Sequence, residues 1–136
     1  MKPYYLFIVL LVLLGGCEKE SSDPPSSAAV QIKTLQLTDS SSIQLQGKHV
    51  KTQKKINGDG FLVMHEFTYL GIDKIAENDL YGALKSNGYT RRIITNNTIQ
   101  FKVHYYKKSS PTIGAVFTTQ SDGKQYYTVA SIYWQE

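Results

Sequence analysis

Three imidazoles, one thiol and the two adjacent tyrosine pairs that follow residue 100 are the side chains of this 136-residue sequence with most chemistry to offer. His49, His65 and His104 each stand in a strand-like stretch among apolar or basic neighbours. Drawn together, His65, His104 and Glu66 make a metal-ligand set. Adjacent residues of a strand point to opposite faces, however, so Glu66 must look away from His65. The expectation is ordinary strand histidines and no metal site. Hydrolysis would require a nucleophile, a base and an orienting group. The serines cluster in turns and in a polar N-terminal stretch, with no Gly-x-Ser-x-Gly turn to expose one of them. Asp73, Glu77 and Asp79 gather near the start of the one helical segment, where negative charge offsets the helix dipole. No catalytic residue and no cofactor is expected.

Basic and aromatic residues are better placed to make a contact surface. Lys48, Lys51, Lys54 and Lys55 fall within eight residues, together with His49, and Arg91-Arg92 open a later strand. These six cations are candidate contacts for an anionic surface. The competing explanation is that lysines on an edge strand guard it against pairing with another sheet. In the pairs Tyr105-Tyr106 and Tyr126-Tyr127, one ring faces the core and the other faces outward. Tyr106, Tyr127 and Tyr133 then share the face away from the core with Val116 and Val129, and they are candidate partner-binding residues. Tyrosine offers large contact area, little freedom to lose and a polar tip; it also populates strands simply because it packs well there. The formal charge is +4, from 15 basic and 11 acidic residues. So mild a surplus gives no ground for a nucleic-acid partner and argues for the tyrosines over the bases as the main contact.

The thiol has a different meaning. Met1 to Tyr5 carry one charge, at Lys2; Leu6 to Leu14 are uninterrupted apolar residues; Gly15-Gly16-Cys17 follow. Nine residues rise about 13–14 Å as a helix, against roughly 30 Å of bilayer core, so the run is too short to span and reads as an export signal. The stretch Leu14-Gly15-Gly16-Cys17 resembles the lipobox of bacterial lipoproteins. Leu14, Gly16 and Cys17 fit that pattern, while Gly15 departs mildly from it. The resemblance implies removal of residues 1–16 and diacylation of Cys17, often with a third chain on the new amino group. At about 0.8 kcal/mol per buried methylene, two or three chains make a lasting anchor in membrane lipid. A lipidated thiol also needs no disulfide partner in an oxidising compartment. Glu18 is not the aspartate that commonly retains lipoproteins in the inner membrane. The resemblance therefore implies the bacterial cell envelope and, if the host has two membranes, the outer membrane facing the periplasm.

Several elements must position these groups. Residues 17–29 join the acylated cysteine to Pro24-Pro25 among serines and read as a tether of about 20 Å. From Val30 to Glu136 the period is mostly two, which predicts a single domain of short strands. Val30 and Ile32 alternate, then Leu35 and Leu37, then Ile43 and Leu45. Asn57-Gly58-Asp59-Gly60 predicts a hairpin whose second arm shows Phe61, Val63, Phe67 and Tyr69 on one face, interrupted by His65. A helix is predicted over 75–86, capped by Asp73 or Asn78, stopped by Asn87-Gly88, and buried along Ile75, Leu80, Ala83 and Leu84, with Gly82 allowing close packing. Two further hairpins follow, around Asn96-Asn97 and around residues 121–124. Their core faces are Ile99, Phe101, Val103 and Tyr105, and then Tyr126, Thr128, Ala130, Ile132 and Trp134. The expected fold is α+β: one helix packed across a twisted antiparallel sheet built from hairpins.

The functional expectation is a non-catalytic, lipid-anchored binding module of the envelope, of inhibitor, immunity or adaptor type. It is monomeric and holds a protein or glycan through its sheet face. The alternative is a structural accessory of a secretion, pilus or conjugation apparatus.

Overall fold

Residues 31–136 are described by a computed structural model. The expected signal over 1–16, the tether over 17–29, Cys17, Glu18 and Val30 lie outside the described residues. Period-two patterning becomes strands β1 (Lys33–Gln36), β2 (Ser42–Leu45), β3 (Lys48–Asn57) and β4 (Gly60–Leu70). One helix, α1 (Asp73–Ser86), follows, and then β5 (Thr90–Asn96), β6 (Phe101–Tyr106), β7 (Ile113–Ser121) and β8 (Tyr126–Gln135). With one helix and antiparallel strands among the described residues, the class is α+β.

The strands form two sheets. β1 and β2 pair with each other, and the other six lie in the order β3-β4-β8-β7-β6-β5. Every pairing is antiparallel. Within the six-stranded sheet, sequence neighbours pair except at one place: β4 is joined to β8 and not to β5, with Val63 opposite Trp134 and Phe67 opposite Ala130. The helix carries the chain from β4, second in the sheet, to β5 at the far edge, touching β4, β8, β7 and β5 on the way.

One face of the large sheet is thereby covered. Phe67, Tyr105, Phe117 and Ile132 rise from it fully buried; α1 contributes Ala76, Leu80 and Leu84; the small sheet contributes Leu35, Ile43 and Leu45. Each large apolar side chain removed from water stabilises the fold by about 1.5–3 kcal/mol. The helix ends where Tyr89 N–H reaches back to the Leu84 carbonyl at 3.1 Å and Gly88 takes φ +87°, a left-handed conformation that glycine adopts without penalty.

The helix start departs from expectation. Its N-cap is Ile72, in extended conformation and with no capping side chain. The orphan Asp73 N–H is satisfied from another element, donating to Thr119 Oγ1 of β7 at 3.1 Å. The buried face is rotated accordingly. Ile75 is exposed, Glu77 is buried, and a Cβ on Gly82 would meet nothing within 4 Å, so that glycine does not serve close packing. Ile32 precedes β1 and is exposed, Ile99 lies exposed in the turn before β6, and Tyr126 is exposed at the start of β8. Phe61 stands on the core side but at the sheet's end, 44% exposed, with the Lys54 ammonium 4.6 Å from its ring centroid.

Candidate binding surface

Period two fixes what the other face of the six-stranded sheet displays. Residues paired across strands share a face, so the register lays out rows. One row runs Gln53, Met64, Tyr133, Gly114, His104, Arg92 from β3 to β5. The next runs Lys51, Glu66, Ser131, Val116, Lys102. Neither α1 nor the small sheet lies over this face, since both contribute to the core on the opposite side. Met64, Val116, Val129 and Tyr133 are nevertheless only partly exposed, because neighbouring side chains lie against one another. The ring of Tyr133 extends over Gly114: a Cβ at that position would collide with it, so the glycine is the seat that lets the ring lie flat.

All three candidate tyrosines are on this outer face, but they are not one cluster. Tyr127 and Tyr133 are six residues apart on β8, about 20 Å at the rise of a strand. The Tyr127 hydroxyl donates to Gln120 Oε1 at 2.8 Å, while Tyr106 stands beside His104, its hydroxyl 3.3 Å from Nδ1. Tyr133 is the central ring.

The candidate cations divide by face. A bulge in β3 between His49 and Lys51 sets Lys48, Lys51 and Lys55 outward and turns Lys54 inward, where it meets Glu136 at 2.6 Å. Lys51 reaches Glu66 at 3.3 Å. Arg92 faces outward. Arg91 faces the helix, its Nη1 2.9 and 2.7 Å from the two oxygens of buried Glu77, and its guanidinium stacks 4.5 Å from the Tyr81 ring centroid. That contact raises the Arg91 pKa further and ties the side chain to the interior. Met64 and Lys102 belong to the outer face although sequence reasoning did not single them out. Counting alternate positions from Val63 and Val103 would have found them.

On the covered side, His49 and His65 flank one hydroxyl: Thr52 Oγ1 lies 3.0 Å from His49 Nε2 and 2.8 Å from His65 Nδ1. His65 also packs on Trp134 with ring centroids 5.0 Å apart, beside a cavity of about 370 Å³ between β1 and the sheet. His104 is on the opposite face, so His65 and His104 do not share a ligand sphere. Among the described residues no group of three or more His, Cys, Asp or Glu is placed to hold a metal ion.

The His65 pKa is lowered, first by burial and then by the positive charges of His49 and Lys33, with Glu136 opposing. The folded state thus binds a proton at this site less readily than the unfolded chain, and protonation favours unfolding. Stability is expected to be full above about pH 6.5 and to fall as pH drops below it. Unfolding by urea between pH 8 and 5 measures this. His65→Asn should reduce the slope of the profile, leaving the contribution of His104, whose pKa is lowered by burial and by Lys102 and Arg92.

In comparisons with known proteins, no family model, no curated protein and no solved structure matches the chain.

Proposed function

We propose that the chain is a lipid-anchored binding module of the bacterial envelope, acting without catalysis. Its antiparallel sheet, built from hairpins and twisted beneath the helix, offers an envelope protein or glycan a face that no described element covers. One observation carries the binding part of this reading. Six strands are covered by α1 and the small sheet on one side only, and the other side pairs a ring seated on glycine, Tyr133 on Gly114, with half-buried Met64, Val116 and Val129. Anchoring rests on the resemblance at Leu14 to Cys17.

The test is recovery of a partner from detergent-solubilised envelopes, comparing the natural chain with a variant carrying Tyr106→Ala, Tyr127→Ala and Tyr133→Ala. Loss of binding by roughly 1–2 kcal/mol or more is expected, concentrated at Tyr133, as aromatic anchors near the centre of an interface behave. A folded triple variant that binds at full strength removes this face from consideration. Co-purification with a large membrane assembly, in place of a discrete complex, would point to an apparatus accessory.

A further inference from the structure

The outer face is electrically one-sided. Of the 13 lysines and arginines among the described residues, five lie on it: Lys48, Lys51 and Lys55 from β3, Lys102 from β6 and Arg92 from β5. Of the eight carboxylate side chains, one does, Glu66, and Lys51 already neutralises it. The acids on the other side, Asp39, Glu77 and Asp79, hold Lys107, Arg91 and Tyr69. The mild surplus of the whole chain is therefore concentrated on one sheet face, with the apolar residues in its middle and the cations toward both edges.

We infer that this face docks on an acidic face of another protein. The inference deepens the proposed function and rests on it. Charge decides against a second copy of the chain, which would set like against like. Size favours a protein over a small ligand. Six strands about 4.8 Å apart and about eight residues long make a patch of roughly 600–700 Å², close to the roughly 800 Å² per partner of a stable protein interface. A glycan strand would find its grooves elsewhere, because cavities of about 580, 370 and 250 Å³ among the described residues lie on the helix side. Position disfavours a lipid surface: β1, the described strand nearest in sequence to the proposed anchor, lies in the helix layer and not on this face. The resulting interface has an aromatic centre, Tyr133, within a rim of cations that an acidic partner face complements.

A photo-crosslinking residue placed at Val116 in the full chain, in cells, tests this, with Ser86 on the helix as the control position. The expected product is one protease-sensitive adduct, formed from Val116 and not from Ser86, through a partner segment rich in Asp and Glu. The combined variant Lys51→Glu, Arg92→Glu and Lys102→Glu should weaken the complex by at least about tenfold. Replacing the partner's crosslinked acids by lysine should then restore it. Should the triple variant fail to fold, Lys48→Glu with Lys55→Glu, at the solvent edge of β3, tests the same charge complementarity. An adduct with glycan or lipid, equal adducts from both positions, undiminished binding after charge reversal, or no rescue by the charge swap would each overturn the inference. A glycan adduct would do so while leaving the proposed function standing; absence of any adduct would remove both.

Discussion

Arg91→Met is expected to destabilise the domain by about 2–4 kcal/mol. Glu77 is 3% exposed, and its polar partners are the Arg91 guanidinium and the Tyr105 hydroxyl, the latter at 3.3 Å. Removing the arginine leaves a buried carboxylate with one long hydrogen bond. Breaking a fully buried pair costs about 3–5 kcal/mol; Arg91 is 38% exposed, and water entering beside the shortened side chain reduces that figure. The double variant Glu77→Leu with Arg91→Met should recover most of the loss, because it removes the charge along with its partner. Urea unfolding of the two single variants and the double variant measures the coupling. A loss below about 0.5 kcal/mol for Arg91→Met would mean that the pair behaves as an exposed one.

Cys17→Ala is expected to abolish acylation completely. Cells grown with a radioactive fatty acid should label the natural chain and leave the variant unlabelled, either as uncleaved precursor or as protein released from the membrane fraction. Two or three acyl chains bind membrane so tightly that their loss changes the location of the protein, and not merely its affinity for a surface. Incorporation of label by Cys17→Ala would defeat the lipoprotein reading. Because this experiment is blind to the sheet face, its result and the crosslinking result are independent.

Much of the architecture was legible in the period of the sequence. Val63, Phe67 and Tyr69 share the buried face as their spacing predicts, and Asn87-Gly88 stops the helix where the left-handed turn is needed. The errors have definite physical sources. Ile75 looked like core because it is apolar, whereas the helix buries Ala76, Glu77, Leu80 and Leu84. A glutamate on the core side is hidden from any pattern of hydrophobicity, and its partner Arg91 lies 14 residues away. Bulges cannot be counted from sequence either. One residue inserted near Val50 reverses the facing of everything after it, which is why Lys48 and Lys51 point the same way and Lys54 does not. Arg91 and Arg92, adjacent in sequence, fall on opposite faces for the simpler reason that strands alternate. The tyrosine assignment followed that alternation and placed all three on the outer face. What it lacked was distance along β8, and hence the separation of Tyr127 from Tyr133.

The position of β8 sets the order in which the domain can form. Among the described residues it is the last strand in sequence, yet it is the only one joining β3-β4 to β7-β6-β5. Until residues 126–135 have been made, the first pair has no neighbour on its inner side, and α1 has only part of a sheet to rest on. The bond between β4 and β8 closes a loop of more than fifty residues, so local pairing alone cannot complete the structure. Folding is expected to be slow for so short a chain, on the order of milliseconds to seconds, and to report a late, all-or-none step. A polypeptide with that topology stays open while it is being made, and its sheet closes when β8 arrives.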